Sequence, residues 1–276
     1  MKLASVVLTL GAALLSYGKP AQAQINFNSP TQLIDNDANQ GSPTITTGLG
    51  SNLLLYYVNH SNNTITLDAG LTGTPQSTSI VVNSAELTDV GATSFSNGDV
   101  FLCWVGTDNS LNFASSGNGI NFGPVINPPN SQLGLGNVSP NTAFVPALTS
   151  NGTTIYVATV GNDGMVYMSF TTDGQTFTPL NGSGISVSPD ATVSRPSLTM
   201  FNGNPWVAFT TNAVGTRNAV VGNATTGSAG PVATNVSWGN SNRNGNFAGL
   251  ALFSYNGQLF VYGQDTASSQ QLKVHR

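Results

Sequence analysis

Charge is scarce in this chain of 276 residues, because Asp, Glu, Lys and Arg together make up 7% of it, against about 25% in an ordinary soluble domain. So little charge excludes a charged coiled coil or a charged disordered tail. A net charge of −4 argues against nucleic acid or an anionic membrane as a partner. The single cysteine cannot form an internal disulfide. After the N-terminal region, no segment approaches the ~20 apolar residues of a membrane span.

Motifs for cofactors and metals are missing as well. The two histidines and the one cysteine form no cluster at metal-ligand spacing, so the sequence predicts neither a metal site nor a cofactor. It contains no Gly-x-Ser-x-Gly elbow and no phosphate-binding loop. Hydrophobic residues nevertheless make up 39% of the chain, which is enough to build a core.

An export signal accounts for the first 23 residues. Lys2 precedes an apolar run from Leu3 to Tyr17, and Ala21-Gln22-Ala23 supplies the small residues of a cleavage site. We therefore expect residues 24–276 to form the mature protein, either secreted or periplasmic.

Asparagine and glycine are abundant, with 32 and 31 copies, and they mark a repeat. Turn pairs recur about every 50 residues between two apolar runs, which is a strong hairpin signal, and the Asn-Gly pairs predict positive φ at both residues of the turn. The pairs are Leu49-Gly50, Asn97-Gly98, Asn151-Gly152, Asn202-Gly203 and Asn256-Gly257. A third strand and a Pro-marked outer strand follow the hairpins. Four antiparallel strands per unit, repeated five times, predict an all-β fold, a five-bladed β-propeller.

The two chain ends predict that the ring closes on itself. The last unit stops after its third strand, and the spacing of Ile25 to Pro30 matches that of Ile120 to Pro124. We expect the N-terminal strand to complete the last blade, which hides two open edges. The single domain 24–276 then has blades near 42–90, 91–139, 140–193, 194–245 and 246–276 plus 24–34. An open array is the alternative, but it would need polar capping repeats.

A short motif near the end of the third unit carries a resemblance. Thr171 to Phe177 reads Thr-Thr-Asp-Gly-Gln-Thr-Phe, and Ser115 to Phe122 is a degenerate copy. The unit resembles the repeats of the sialidase-like, Asp-box (BNR-type) propellers at the level of fold. The resemblance implies that Asp173 forms a structural turn away from any active site, by accepting local N–H bonds. The arginine triad and Tyr–Glu pair of sialidases have no match, so no catalytic residue is carried over.

The predicted topology separates the charges. Eight of the eleven acids and three arginines fall on the face that carries the loops between second and third strands. Because loops on a rigid scaffold commonly carry function, we predict the ligand on this face. Repeated aspartates there form either Asx turns or a ring of acceptors, arginines suit an anion, and an aromatic ring in a polar loop suits a sugar. The candidate ligand-binding residues are Arg195, Trp238, Asp108, Asp163, Asp265, Arg217 and Arg243.

The residues favour binding over catalysis. We expect an exported, lectin-like propeller whose partner is a glycan or another cell-surface polymer. Two alternatives stay open, a structural or protein-interaction propeller and a glycoside hydrolase that uses carboxylates in a central funnel. For the hydrolase, the carboxylates on the correct face are Asp35, Asp37, Glu86, Asp89 and Asp190.

Overall fold

The fold consists of five antiparallel sheets that follow one another in chain order. The computed structural model describes residues 44–48, 52–59, 63–69, 76–82, 89–106, 108, 110–180, 194–213, 216–224, 233–235, 247–265 and 272–275. Within these ranges every regular element is a strand, and no helix is long and apolar enough to span a membrane. The predicted signal segment and closing strand lie outside the described residues.

Each sheet is a meander, so strands that are neighbours in sequence are also neighbours in the sheet. The first sheet contains β1 Thr44–Gly48, β2 Asn52–Asn59, β3 Thr64–Ala69 and β4 Gln76–Val81. The second contains β5 Gly91–Ser94, β6 Val100–Val105 and β7 Leu111–Ser116, and the third contains β8 Ala147–Ser150, β9 Ile155–Val160, β10 Val166–Thr171 and β11 Thr178–Pro179. The fourth contains β12 Ser197–Phe201, β13 Asn204–Ala213, β14 Thr216–Asn223 and β15 Ala233–Asn235. The fifth contains β16 Phe247–Tyr255, β17 Gln258–Asp265 and β18 Leu272–His275.

These strands confirm the hairpins predicted from the turn pairs, and β6 and β9 coincide with the predicted apolar runs. The outer strands are less regular than expected. In the third sheet β11 has only two residues, and in the second sheet a single bridge joins Phe113 to Ile126. Prolines at 124, 128 and 129 surround that bridge, and because proline has no N–H to donate, a longer ladder cannot form there.

Two of the Asn-Gly turns have the predicted left-handed backbone. The φ angles are 49° at Asn202 and 48° at Asn256, and the glycines that follow also have positive φ. The register pairs Phe201 with Asn204 and Tyr255 with Gln258, so each loop has two residues. This is the length at which both central residues adopt positive φ.

The Asn151-Gly152 turn corrects the prediction. Gly152 has a φ of 98°, but Asn151 is not among the described residues with positive φ. Ser150 pairs with Ile155, so this loop is longer than two residues. Asn151 acts instead through its side chain, whose Oδ1 accepts bonds from the N–H groups of Thr153 and Thr154 at 3.1 and 2.8 Å.

The hydrophobic core lies between successive sheets rather than inside any one of them. Strand β6 shows this, because all six of its residues are buried. Phe101 and Cys103 belong to the cluster shared with the third sheet, whereas Leu102 and Trp104 belong to the cluster shared with the first. The first strands of successive sheets also contact one another, from β1 to β5, β8, β12 and β16. Burial on both faces explains why these strands are uninterrupted apolar runs.

A turn at Asp173 helps to join the second and third sheets. Asp173 Oδ1 accepts bonds from the N–H groups of Gln175 and Thr176, both at 2.8 Å, which confirms its predicted role as a turn-former. The turn delivers Phe177 into the core, where its ring centroid lies 4.8 Å from Phe113 and 6.2 Å from Phe101. Both of these partners belong to the second sheet.

The degenerate copy forms the same turn with an amide. Asn118 Oδ1 accepts bonds from the N–H groups of Ile120 and Asn121 at 3.0 and 2.8 Å. It presents Phe122 to Tyr56 of the first sheet, with ring centroids 6.4 Å apart. An uncharged acceptor is therefore sufficient for this geometry.

Because Asp173 is charged, we expect part of the free energy of unfolding to depend on pH. Bonds from the N–H groups of Thr176 and Gln175 lower the pKa of Asp173 to about 2. A carboxyl group whose pKa is lower in the folded state stabilises that state at every pH above the ordinary carboxyl pKa. This contribution is lost as the pH falls toward about 2. We expect Asp173→Ala to lower the free energy of unfolding by about 1–2 kcal/mol at neutral pH, and Asp173→Asn to lower it less.

Urea titrations of the three proteins at neutral pH and near the folded pKa test this expectation. The difference between the wild type and Asp173→Asn should shrink in acid, because other carboxyls titrate equally in both proteins. A difference that is constant with pH would show that the charge of Asp173 does not contribute.

Candidate functional site

Asp108 lies in the tight turn between β6 and β7, on the predicted ligand face. Its Oδ1 accepts the Ser110 N–H at 3.1 Å and the Ser110 hydroxyl at 2.5 Å. These bonds, the hydroxyl first, lower the pKa of Asp108. A Cβ at Gly106 would collide with the Asn112 side chain and lie 2.7 Å from Asp108 Oδ1, so one of these side chains would have to move. Asp108 therefore forms an Asx turn, one of the two roles that the repeated aspartate predicted.

Asp163 forms the corresponding turn between β9 and β10. Its Oδ1 accepts the Met165 N–H at 3.0 Å, and its Oδ2 accepts the hydroxyl of Tyr167 at 2.5 Å. Burial, followed by this bond to the carboxylate, raises the pKa of Tyr167 to about 12. Asp265 differs, because it is the last residue of β17 and pairs with Phe247. The expectation that all three aspartates share one structural position is therefore wrong for Asp265.

Arg195 joins the starting points of several first strands. Its Nη2 donates to the carbonyl of Val90 at 3.1 Å and to the carbonyl of Pro146 at 3.4 Å. Its Nη1 lies 3.7 Å from Asp89 Oδ2, and both side chains are about one quarter exposed. Val90 precedes β5, Pro146 precedes β8 and Arg195 precedes β12, so one guanidinium spans three sheets. Both terminal nitrogens thus have partners within the protein.

Cys103 lies directly beside this arginine and is a core residue, as expected. Its Sγ donates to the Pro146 carbonyl at 3.3 Å. Complete burial raises the pKa of the thiol to about 12, even though Arg195 and the Gly91 backbone act to lower it. A Cβ on Gly91 would lie 2.5 Å from this sulfur, so the packing here requires glycine. A neutral buried thiol is not a nucleophile.

Four predicted site residues have no described side chain, and Asp265 is one of them, placed only as a backbone position in β17. Trp238 and Arg243 lie outside the described residues, and Arg217 is placed only as a backbone position in β14, paired with Asn212. Their roles stay predictions. Among the described residues, no three His, Cys, Asp or Glu side chains come together in a way that could hold a metal ion.

A pocket that the residue patterns did not predict lies on the same face, beside the Asp108 turn. We call it the Ser110 pocket, and its volume is about 390 Å³, near the lower end of the ~300–1,000 Å³ found for ligand sites. None of its lining side chains is charged. They are Ser110, Leu111, Asn127, Pro128, Asn130, Leu133, Ser139, Pro140 and Thr142.

Main-chain bonds to two sheets hold the wall of the Ser110 pocket, which comes from the connection 117–146 between β7 and β8. On one side, Ile126 and Phe113 exchange two bonds of 2.8 and 2.9 Å. On the other, Asn141 donates to the Val160 carbonyl at 2.7 Å, and Asn162 donates to the Ser139 carbonyl at 2.9 Å. The pocket thus lies between the second and third sheets with both edges anchored.

Several polar side chains that line the Ser110 pocket form no described hydrogen bond. Within the described ranges, the side chains of Asn127, Asn130 and Thr142 have no hydrogen-bond partner. Leu133 also lines the pocket and is buried, with 1% of its surface exposed. A lining that combines amides and a hydroxyl without a described partner with an aliphatic side chain suits a ligand that has both polar and apolar surfaces.

Comparison with solved structures identifies the fold. AofleA from Arthrobotrys oligospora superposes with a TM-score of 0.56 at 14% identity, over 85% of this chain and 68% of that one. The SapL1 lectin in complex with alpha methyl fucoside gives 0.52 at 15% identity, over 84% and 75%. A Hadza microbial sialidase, Hz136, gives 0.55 at 10% identity, over 86% of this chain but 52% of its own. The chain has a β-propeller fold.

At these identities, the likeness extends to the fold alone. No family model matches the sequence, and no curated protein matches it either. The faces of the propeller must therefore be interpreted from its own residues. On the loop face these residues are the Asp turns, the Arg195 cluster and the Ser110 pocket.

Because Arg195 bonds to groups of three sheets, we expect its side chain to contribute to the stability of the fold. Arg195→Ala removes the donor to the Val90 carbonyl and one of the two donors to the Pro146 carbonyl, so we expect a loss of about 1–3 kcal/mol in the free energy of unfolding. Asp89→Asn removes the partly exposed ion pair with Arg195, and the loss of this pair should cost about 0.5 kcal/mol or less. Thermal unfolding of both variants and of Arg195→Lys measures the difference. An Arg195→Ala protein that unfolds together with Asp89→Asn would contradict this role.

Proposed function

We propose that this propeller is a lectin-like carbohydrate-binding protein whose ligand enters the Ser110 pocket on the loop face. The observation that carries the proposal is a pocket lining that combines a buried leucine with Asn127, Asn130 and Thr142, whose side chains have no hydrogen-bond partner among the described residues. Sugar rings offer hydroxyls to amides and hydroxyls, and C–H faces to aliphatic carbons. The fold shared with the SapL1 lectin supports this proposal.

The loop face extends beyond this pocket. In our proposal Trp238 stacks on a further sugar unit, and Arg217, Arg243 and Asp265 supply polar contacts around it. Arg195, Asp108 and Asp163 contribute chiefly by holding the loops, since their described bonds are internal.

We also propose that the sheets are five blades of one closed ring, with the boundaries predicted above, and that the protein is exported after loss of residues 1–23. Apolar side chains left exposed on the first and fifth sheets support closure. Ile45 and Leu53 are each 45% exposed, while Phe253 and Tyr255 are 37% and 52% exposed. By strand alternation the first two point away from the second sheet, and the last two point away from the fourth. Closure brings these two faces together.

Removal of residues 24–34 tests the closed ring. If this segment completes the last blade, its loss exposes two strand edges and the shortened protein should lose cooperative unfolding. A differential scanning calorimetry trace of residues 35–276 beside that of residues 24–276 measures this. A sharp transition within a few degrees of the longer protein would show that the segment does not close the ring.

A glycan array probed with residues 24–276 tests the function, and pocket variants locate the site. Asn127→Ala and Thr142→Ala each remove one hydrogen bond to the ligand, so we expect about 3- to 10-fold weaker binding of the selected glycan. Their melting temperatures should not change, because neither side chain has a hydrogen-bond partner among the described residues.

Gln175→Ala is the matched control, an exposed amide in the turn between β10 and β11, at the opposite face. It should bind like the wild type. Equal loss in the control and the pocket variants would contradict this site. An array without binding would favour a protein-interaction propeller, and release of reducing sugar from the array would favour a glycoside hydrolase.

A further inference from the structure

Ser110 differs from the other polar side chains of its pocket because it already has a partner. Its hydroxyl donates to Asp108 Oδ1 at 2.5 Å, and its N–H donates to the same oxygen at 3.1 Å. Asn127, Asn130 and Thr142 have no such partner among the described residues. The pocket therefore has one polar group with a fixed hydrogen-bonding direction and several that are free to adapt.

The bond to Asp108 determines what Ser110 can offer a ligand. A hydroxyl has one proton and two lone pairs. Its proton is held by the carboxylate in a short, charge-assisted bond, so only the lone pairs face the pocket. Ser110 is then an acceptor, and a ligand group that meets it must donate.

The charge behind Ser110 acts in the same direction. The bonds from Ser110 lower the pKa of Asp108, so its carboxylate is ionised at neutral pH. No lining side chain is cationic, and the terminal nitrogens of Arg195 are bonded to Val90, Pro146 and Asp89. A ligand carboxylate near Ser110 would face a second acceptor and a like charge, with no described cation to compensate.

We propose that the Ser110 pocket takes an uncharged sugar ring, through a ligand hydroxyl that donates to Ser110, and that Asp108 makes it reject sugars bearing a carboxylate. This inference rests on the proposed carbohydrate-binding function and narrows its ligand class. Asp108 acts through its bond to Ser110 and through the electrostatic repulsion between its carboxylate and that of the ligand. It is thus a specificity-determining residue that does not need to touch the ligand.

Matched pairs of small sugars provide the test. The probes are the methyl glycosides of glucose, galactose and mannose, each titrated beside the corresponding uronic acid at low ionic strength and followed by protein NMR. We expect at least one neutral sugar to bind, and to bind about tenfold or more tightly than its acid partner.

Variants then separate the two effects of Asp108. Ser110→Ala should weaken the neutral sugar by about 3- to 10-fold. Asp108→Asn keeps an acceptor for the Ser110 N–H, as Asn118 does in its own turn, and should reduce the preference for the neutral sugar by about 2- to 5-fold. This reduction should fade at high salt, because exposed charges are screened. Asp108→Asn in the Ser110→Ala protein should have no further effect on the neutral sugar.

Asp99→Asn is the control for a lost carboxylate, since Asp99 accepts a bond from Asn97 in a turn on the opposite face. It should leave the preference unchanged. Equal or tighter binding of the uronic acids, with binding still weakened by Asn127→Ala, would overturn the inference and leave the proposed function standing. Absence of binding by every sugar, together with an empty glycan array, would overturn both.

Discussion

The ring of Phe177 lies against Phe113 and Phe101, so a side chain delivered by a turn of the third sheet is held by two strands of the second. Contacts of this kind, between faces of neighbouring sheets, are what the rest of the molecule depends on. Each sheet has three or four strands of two to ten residues, and a repeat unit of this size cannot bury its hydrophobic faces alone. Each sheet is stabilised by its neighbours, and for this reason the described residues form four core clusters between successive sheets.

This arrangement explains why so few charges are needed. Both faces of an inner sheet are covered, so the strands carry apolar residues throughout, and polar residues concentrate in turns. Most of those turn residues are asparagine, serine and threonine, whose oxygens accept backbone N–H bonds without bringing a charge. Asp173 and Asn118 make the comparison directly, since a carboxylate and an amide hold the same turn.

Much of the fold could be predicted because the strand and turn signals repeat. A turn pair followed by an apolar run located the second strand of all five sheets, and the repeated aspartate correctly indicated the turns at 108 and 163. Loop length at Asn151 could not be predicted, because the same Asn-Gly pair serves loops of two residues and longer ones.

The Ser110 pocket was missed because the sequence of its wall follows no repeat. Its Pro and Asn residues acquire a position only through bonds to Phe113 and Val160. The partners of Arg195 were equally hidden, being 49 and 105 residues away in sequence.

The connection 117–146 supplies most of the pocket wall, and it is fixed to the sheets by main-chain bonds and by the buried side chains of Leu133 and Leu135. Main-chain bonds do not depend on which side chains are present, apart from proline. Side chains at Asn127, Asn130 and Thr142 can therefore change without disturbing a strand, whereas every change in β6 alters one of two core clusters. Evolution of a new specificity, or its design by directed mutagenesis, can proceed in this one segment while the sheets stay constant.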